Sequence, residues 1–213
     1  MAGFFNAVAE KIEPSAPKVL RAPLFGTVIE HLRAGSRQVV LDLGPARAAT
    51  VGLLNLFHCR LDIADLSTEL DVLNTLEDPV LLQAQIESVL PAHGNEPTDV
   101  VLCWDLLNYL QKPVLTKVMD CITARARRGT LVHALIIYSS KHMPAQPDIY
   151  YPGEISGNDE VNVDRLVNIS VTSVERDAPQ YTPDDLKRCM QGCHIERAVL
   201  LGNGMQEFLF RIS

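Results

Sequence analysis

Short apolar runs alternate with stretches of helical periodicity along most of the chain. The run QVVLDLG at residues 38–44 is almost wholly apolar and ends in glycine, which is typical of a strand buried on both faces of a parallel sheet. A helical pattern follows in RAATVGLLNLF, and a second strand, CRLDIADLS, ends on polar residues. Strand, helix and strand within about 30 residues predict a βαβ unit, whose crossover is almost always right-handed.

The alternation continues to the end of the chain. Further helices are predicted over LFGTVIEHLRAG, 71–90, 108–127 and YTPDDLKRCMQ, further strands over TDVVLCWD and GTLVHALIIYSS, and a hairpin over HIERAVLL and QEFLFRI. In the last helix Thr182 is the expected cap and Pro183 the first residue. The order predicts an α/β fold: a doubly wound, mostly parallel sheet with helices on both faces and a C-terminal antiparallel hairpin.

Two regions fall outside this alternation. Residues 1–22 are predicted to form an N-terminal helix, at 3–12, and a proline-punctuated linker, so that 23–213 make a single domain. Residues 141–180 are rich in Pro, Gly, Asn and Asp, with an extra strand expected in LVNISVTSV. We interpret this second region as an insertion at the carboxyl edge of the sheet, where loops carry function.

Charge and cysteine content narrow the classes of partner. The 213 residues include 19 basic and 26 acidic side chains, a net charge of −7, which disfavours bulk nucleic-acid binding. Five cysteines without a secretion signal or a membrane-length apolar run predict reduced thiols in the cytoplasm and no transmembrane segment. Cys189, Cys193 and His194 lack a second ligand pair at finger-like spacing, so no metal site is expected.

Candidate binding residues follow the predicted strands, because ligands of such sheets bind beyond the carboxyl ends of the strands. Gly44 follows the first strand and allows a sharp turn into a helix N-terminus. Asp65 lies 21 residues later, the spacing at which a carboxylate accepts from a ribose diol, and Asp62 is a weaker, mid-strand alternative. Gly44 as a plain tight turn and Asp65 as a helix cap remain open interpretations.

The runs VVLDLGPARAATVGLL, DIADLS, TDVVLCWDLLNYL and HIERAVLLGNGMQEFLFRI resemble the class I S-adenosylmethionine-dependent methyltransferases over about residues 24–213. The resemblance implies a Rossmann-like fold and S-adenosylmethionine as cofactor, with the turn holding its amino-acid part and an acid holding its ribose. The residues implied to bind the cofactor are Asp42, Gly44, Ala46, Asp65, Leu66, Trp104 and Asp105.

The chain departs from the family pattern at two places. Ala46 and Ala48 stand where further glycines are usual, with Pro45 between Gly44 and Ala46, and no clear third strand lies between Ser67 and Thr98. Arg47 in the same turn is suited either to meet the cofactor carboxylate or to lie in solvent.

The acceptor site is predicted from location alone. Asn108 and Tyr109 follow the strand TDVVLCWD, and the insertion contributes His142, Tyr150 and Tyr151 as candidate acceptor contacts. Trp104 is also suited to core packing and Asp105 to capping the next helix. His133, between apolar neighbours, is expected to be a core histidine and not a base, so no catalytic base is identified.

Two functions are compatible with these patterns. One is methyl transfer from S-adenosylmethionine to a small-molecule or protein acceptor, and the other is a catalytically silent relative that serves as a binding or partner module. No G-x-S-x-G, G-x-G-x-x-G or phosphate-loop string occurs, which argues against a serine hydrolase, a nicotinamide enzyme and a nucleotide triphosphatase.

Overall fold

The computed structural model describes residues 16–92, 96–153, 164–179 and 181–213, and the helix predicted over 3–12 lies outside these ranges. Its strands are β1 (Lys18–Arg21), β2 (Gln38–Asp42), β3 (Cys59–Ile63), β4 (Thr98–Leu102), β5 (Ala126–Ile137), β6 (His142–Pro144), β7 (Ile149–Pro152), β8 (Arg165–Ile169), β9 (Glu175–Asp177), β10 (Cys193–Leu200) and β11 (Met205–Ile212). Its helices are α1 (Pro23–Ala34), α2 (Ala48–Leu54), α3 (Leu70–Thr75), α4 (Pro79–Val89), α5 (Lys112–Thr123) and α6 (Pro183–Cys189), with short 3₁₀ turns at Leu66–Thr68 and Leu106–Tyr109.

Six strands form the central sheet in the order β10-β11-β5-β4-β2-β3. Strands β3, β2, β4 and β5 are parallel, whereas β11 pairs antiparallel with both β5 and β10. Because the chain moves outward from β2 to β3 and then returns to β4 on the other side, right-handed crossovers place helices on both faces. The predicted doubly wound sheet with its C-terminal hairpin is therefore confirmed.

The strand order also fixes where a ligand can bind. The direction of winding reverses between β2 and β4, and a crevice opens beyond the carboxyl ends of the strands at such a reversal. Both strands are buried along their whole length, which explains their nearly continuous apolar sequence. The residues that follow these two strands are thus anchored by the buried centre of the sheet.

Helix α1 is fastened to the sheet by one buried carboxylate. Glu207 on β11 accepts hydrogen bonds from the amides of Leu24 (3.0 Å) and Phe25 (2.7 Å), which are free at the start of α1. The same carboxylate lies 2.8 Å from Nε2 of His133, and both side chains are fully buried. His133 is thus a core residue, as expected, but its partner comes from a different strand.

Several predicted helices have other bounds. The single helix expected over 71–90 is two helices, α3 and α4, because Asp78 accepts from the amides of Val80 and Leu81 and begins a new helix at Pro79. The helix expected over 108–127 begins at Lys112 and ends at Thr123, and β5 starts at Ala126. Within 64–92 and 96–97, no strand stands between β3 and β4.

The segment before α1 belongs to the fold. Residues 16–22 were predicted to be a linker, yet β1 pairs antiparallel with β8, which pairs in turn with β7. Leu20 is buried where these strands meet the core, an anchor that a four-residue strand pattern was too short to reveal. The extra strand predicted in the insertion is β8, and β6 with β9 forms a second small ribbon.

The five cysteines are free thiols, of which Cys103, Cys121 and Cys189 are buried. Across the described ranges, no group of three or more His, Cys, Asp or Glu side chains is placed to hold a metal ion. Neither does any helix in these ranges combine the length and apolar character needed to cross a membrane.

Candidate functional site

A cavity of about 520 Å³ lies beyond the carboxyl ends of β2, β3 and β4, and the insertion forms its opposite wall. This volume is typical of small-molecule sites, which span about 300–1,000 Å³. The sheet side of the cavity includes Gly44, Arg47, Asp65, Trp104, Asp105 and Tyr109, and the insertion side includes Gln146, Asp148, Tyr150 and Arg176. The cavity therefore lies at the switch point that the strand order defines.

Asp42, at the end of β2, lies beneath the cavity and does not line it. Its Oδ1 accepts from the amide of Gly44 (2.9 Å) and from the indole Nε1 of Trp104 (2.6 Å). Burial raises the pKa of Asp42 from 3.8 to about 6, although both hydrogen bonds act in the opposite direction. Asp42 thus fixes the turn and the indole instead of contacting a ligand.

The Asp42 interaction predicts a pH-dependent stability. Because the pKa is higher in the folded chain than in the unfolded chain, this group's stabilisation is complete below about pH 4 and is lost as the pH rises through about 6. The loss amounts to about 3 kcal/mol. Asp42→Asn keeps an acceptor oxygen but cannot ionise. Between pH 4 and pH 7 its free energy of unfolding should therefore fall less than that of the wild type.

Urea unfolding at both pH values measures the difference. Asp120→Asn, at an exposed position of α5, is the matched control, and its free energy of unfolding should change with pH as that of the wild type does. Equal pH profiles for wild type and Asp42→Asn would contradict the role of Asp42.

Trp104 occupies the space directly above the Gly44 turn. A Cβ atom on residue 44 would lie 2.8 Å from Cδ1 of the indole, closer than side-chain atoms normally pack. The indole is held by its hydrogen bond to Asp42 and by two neighbouring rings. The ring of Tyr150 stacks on it with 6.2 Å between ring centroids, and the centroid of the Phe25 ring lies 5.8 Å away. Trp104 itself has a positive φ of 50°. The glycine at position 44 is therefore required by the approach of Trp104.

Asp65 lines the cavity and also caps the next turn. Its Oδ1 accepts from the amide of Ser67 (3.1 Å), so the cap interpretation is confirmed, while its carboxylate still faces the cavity. Leu66 is buried and donates its amide to the carbonyl of Leu43 (3.0 Å), and Ala46 is exposed outside the cavity. Of the residues implied to bind cofactor, the structure brings Gly44, Asp65, Trp104 and Asp105 to the cavity and leaves out Asp42, Ala46 and Leu66.

Asp105 is a buried acid at the cavity wall, with 3% of its surface exposed. Its Oδ2 accepts from the amide of Asp148 (3.0 Å), and its Oδ1 has no partner among the described residues. Burial raises the pKa of Asp105 well above its usual value, and the nearby Asp148 charge adds to the rise. Its side chain does not cap the turn that follows, so that alternative is wrong.

The candidate acceptor residues divide into two groups. Tyr109 and Tyr150 line the cavity, and the Tyr109 hydroxyl donates to the carbonyl of Gln146 (2.9 Å). Burial raises the pKa of both phenols. Both tyrosines thus connect the sheet side to the insertion.

Asn108, His142 and Tyr151 do not line the cavity. The Asn108 amide is saturated: it donates to the carbonyls of Asp105 (2.8 Å) and Leu135 (2.9 Å) and accepts from the amide of Ile137 (2.9 Å). His142 is exposed beside Asp177 on the small ribbon, and Tyr151, the residue after Tyr150 on β7, is half-buried outside the cavity lining. Their predicted contact with an acceptor is therefore not supported by their positions.

Asp148 is a cavity residue that the sequence patterns did not predict, and Arg47 is one for which they allowed two positions, at the cofactor or in solvent. Arg47 is half-buried at the cavity wall, and its Nε has no partner in the described chain. Asp148 follows a proline in the insertion, and its Oδ2 accepts from Nδ2 of Asn168 (2.5 Å). An acid two residues before the aromatic pair Tyr150–Tyr151 was the available signal.

Comparisons with known proteins give structural neighbours only. No protein-family model and no curated protein matches the chain. A 1,6-didemethyltoxoflavin-N1-methyltransferase from Burkholderia thailandensis, solved with its namesake compound and S-adenosylhomocysteine, is 15% identical with a TM-score of 0.49, over 90% of this chain and 77% of that one. An S-adenosylmethionine-dependent methyltransferase from Clostridium acetobutylicum is 15% identical with a TM-score of 0.48, over 89% of both chains. The glycopeptide N-methyltransferase MtfA with S-adenosylhomocysteine is 12% identical with a TM-score of 0.49, over 90% and 88%. The fold assignment rests on the strand order itself.

Proposed function

We propose that the chain is an S-adenosylmethionine-dependent methyltransferase that acts on a small-molecule acceptor. The observation that carries this proposal is the cavity at the switch point of the sheet, with the Gly44 turn and Asp65 at the ends of adjacent strands. The insertion wall favours a small molecule over a protein acceptor, since it covers the sheet edge. The net charge of −7 supports an acceptor other than nucleic acid. A cytoplasmic location stays a prediction.

The cavity residues fit the cofactor at the Asp65 end, whereas at the Gly44 turn they differ from the contacts that the family resemblance implies. The Asp65 carboxylate is suited to accept from both hydroxyls of a ribose. Because the Trp104 indole covers the Gly44 turn, close approach to that backbone is not the contact to expect. Arg47, whose buried Nε lacks a partner among the described residues, is suited to pair with a carboxylate there.

Strand spacing separates the two ends of the cavity. Asp65 follows β3 and Asp105 follows β4, with β2 between them, so the two positions lie about 10 Å apart. This leaves the Asp65 end for the cofactor and the Asp105 end for the acceptor. When bound, S-adenosylmethionine supplies an activated methyl group. The chain itself contributes positioning and exclusion of water, which can supply much of the rate when no strong base is needed.

Binding of S-adenosylhomocysteine tests the proposal. The chain contains one tryptophan, and Trp104 lines the cavity, so its fluorescence reports occupancy, with calorimetry as a second measurement. We expect micromolar binding, weakened at least tenfold by Asp65→Ala because a charged hydrogen-bond acceptor contributes about 1.5–3 kcal/mol. Thermal unfolding of the variant shows whether losing the cap alone explains the change.

Asp62→Ala is the matched control. Asp62 lies on β3, three residues before Asp65, and is also an aspartate, but it pairs with Arg60 (2.9 Å) outside the cavity. Its replacement should leave the affinity within about twofold, below 0.5 kcal/mol. No binding by the wild type at millimolar ligand would contradict the methyltransferase proposal, and equal loss in both variants would contradict the role of Asp65.

A catalytically silent binding module is the second candidate. The position of the Trp104 indole over Gly44 favours it, because the indole fills the space in which a cofactor could approach the turn. Alanines at positions 46 and 48 point the same way. Failure of S-adenosylmethionine and S-adenosylhomocysteine to bind the folded chain would support this second function.

A further inference from the structure

The acceptor end of the cavity contains two carboxyl oxygens without partners. Oδ1 of Asp105 and Oδ1 of Asp148 are both buried, and neither has a hydrogen-bond partner in the part of the chain that the structure describes. The two acids come from different elements, the end of β4 and the insertion, and the amide of Asp148 donates to Asp105 (3.0 Å). They therefore form one acidic corner, in which each carboxyl group has one oxygen to spare.

Such a corner needs a positively charged or donating occupant. Buried polar atoms in folded proteins are almost always satisfied, and an isolated buried carboxylate is strongly disfavoured. The cavity's two arginines, Arg47 and Arg176, make no hydrogen bond or ion pair with either acid among the described contacts. The residues that the structure describes thus leave the compensating charge to a ligand.

The side chains beside the corner indicate the chemical character of the rest of that ligand. Trp104 and Tyr150 line the same cavity with parallel rings, 3° apart in orientation. Aromatic faces bind apolar groups and attract organic cations. Among the described residues, no third His, Cys, Asp or Glu side chain joins these two acids in a group that could hold a metal ion. The combination suits an ammonium group attached to an organic body.

We propose that the corner formed by Asp105 and Asp148 binds the amino group of the acceptor, so that the acceptor is a primary or secondary amine carrying a positive charge at neutral pH. For this nitrogen to take the methyl group, its proton passes to one of the two free carboxylate oxygens, and the lone pair that this releases forms the new N–CH3 bond as the bond from the methyl group to sulfur breaks. This inference rests on the proposed methyltransferase function and names its substrate class. The raised pKa of Asp105 is consistent with a site that ionises fully when a cation enters.

The test compares amines with alcohols of the same shape. Trp104 fluorescence is titrated with matched amine and alcohol pairs bearing benzyl, 2-phenylethyl and butyl groups, in the presence and absence of saturating S-adenosylhomocysteine. At least one amine should bind tenfold or more tightly than its alcohol. Asp105→Asn and Asp148→Asn should each reduce that preference at least fivefold, because an amide retains the shape but removes the charge.

Asp71→Asn is the matched control: it removes one charge from an exposed position of the same cavity and should retain the preference. The two corner variants lie on separate elements, so misfolding of one, detected by thermal unfolding, leaves the other decisive. Equal affinity for amines and alcohols, or an unchanged preference in the folded corner variants, overturns the inference. Binding of S-adenosylhomocysteine without amine preference overturns only the substrate class, whereas amine preference without that binding supports the cation site and contradicts the proposed function.

Discussion

Glu207→Ala should lower the free energy of unfolding by about 3–5 kcal/mol, because it removes the shared acceptor of a buried hydrogen-bond network. Glu207 is fully buried and serves three groups: the amides of Leu24 and Phe25 at the start of α1, and Nε2 of His133. Without it, two helix amides and an imidazole are left unpaired in the core. A carboxylate at a helix N-terminus also complements the helix dipole, so that stabilisation is lost as well.

Thermal unfolding followed by circular dichroism measures the effect, which corresponds to a fall in midpoint of roughly 6–20 °C. Glu196→Ala on the adjacent β10 is the matched control, since Glu196 is partly exposed and pairs with Arg211 at the surface. It should lose less than about 1 kcal/mol. Glu207→Gln, which keeps one acceptor oxygen, should fall between the two. Equal midpoints for the two alanine variants would contradict the buried network.

Trp104→Ala is the second substitution with a large expected effect, about 3–5 kcal/mol, because a buried aromatic ring is removed. The ring contacts Phe25 and Tyr150 and donates to Asp42, so its loss leaves a void and one unsatisfied acceptor site. Urea unfolding followed by circular dichroism measures it, because the variant has no tryptophan. Trp104→Phe, which retains an aromatic ring but not the indole N–H, should lose about half as much.

Gly44→Ala combined with Trp104→Ala forms a double-mutant cycle that measures the contact between the two positions. Alone, the new methyl group meets the indole at 2.8 Å and should destabilise the chain by about 1–3 kcal/mol, as overpacking does. In the Trp104→Ala background the same substitution should be close to neutral, giving a coupling energy of similar size. Additive effects would show that the glycine serves the backbone turn and not the indole.

The parts of the fold that sequence patterns predicted are those set by local chemistry. Strands β2 and β4 are buried on both faces and their sequence is continuously apolar, so periodicity alone identified them. The capping box at Thr182, with Asp185 reciprocating, likewise depends on neighbouring residues. Asp65 was found because its spacing from Gly44 follows from one βαβ unit.

What the patterns missed depends on contacts between distant segments. Leu20 gains its burial from β8, and Glu207 reaches His133 from another strand, so neither role is visible in a local window. Tyr150 and Tyr151 are neighbours of the same residue type, and the tertiary packing of β7, in which Tyr150 stacks on Trp104, decides which one reaches the cavity. The reason for Gly44 is the ring of Trp104, 60 positions away in the chain.

The pairing of β1 with β8 has a consequence for how the chain is made. Lys18 pairs with Asn168, so about 150 residues must be synthesised before β1 meets its neighbour. At about 5–20 residues per second, β1 leaves the ribosome roughly 10–30 s ahead of β8. During that interval Val19 and an open strand edge are available for pairing with other chains. The sheet of β1, β8 and β7, whose last strand lines the cavity, is therefore completed late, and newly made chains are most open to misassembly before it forms.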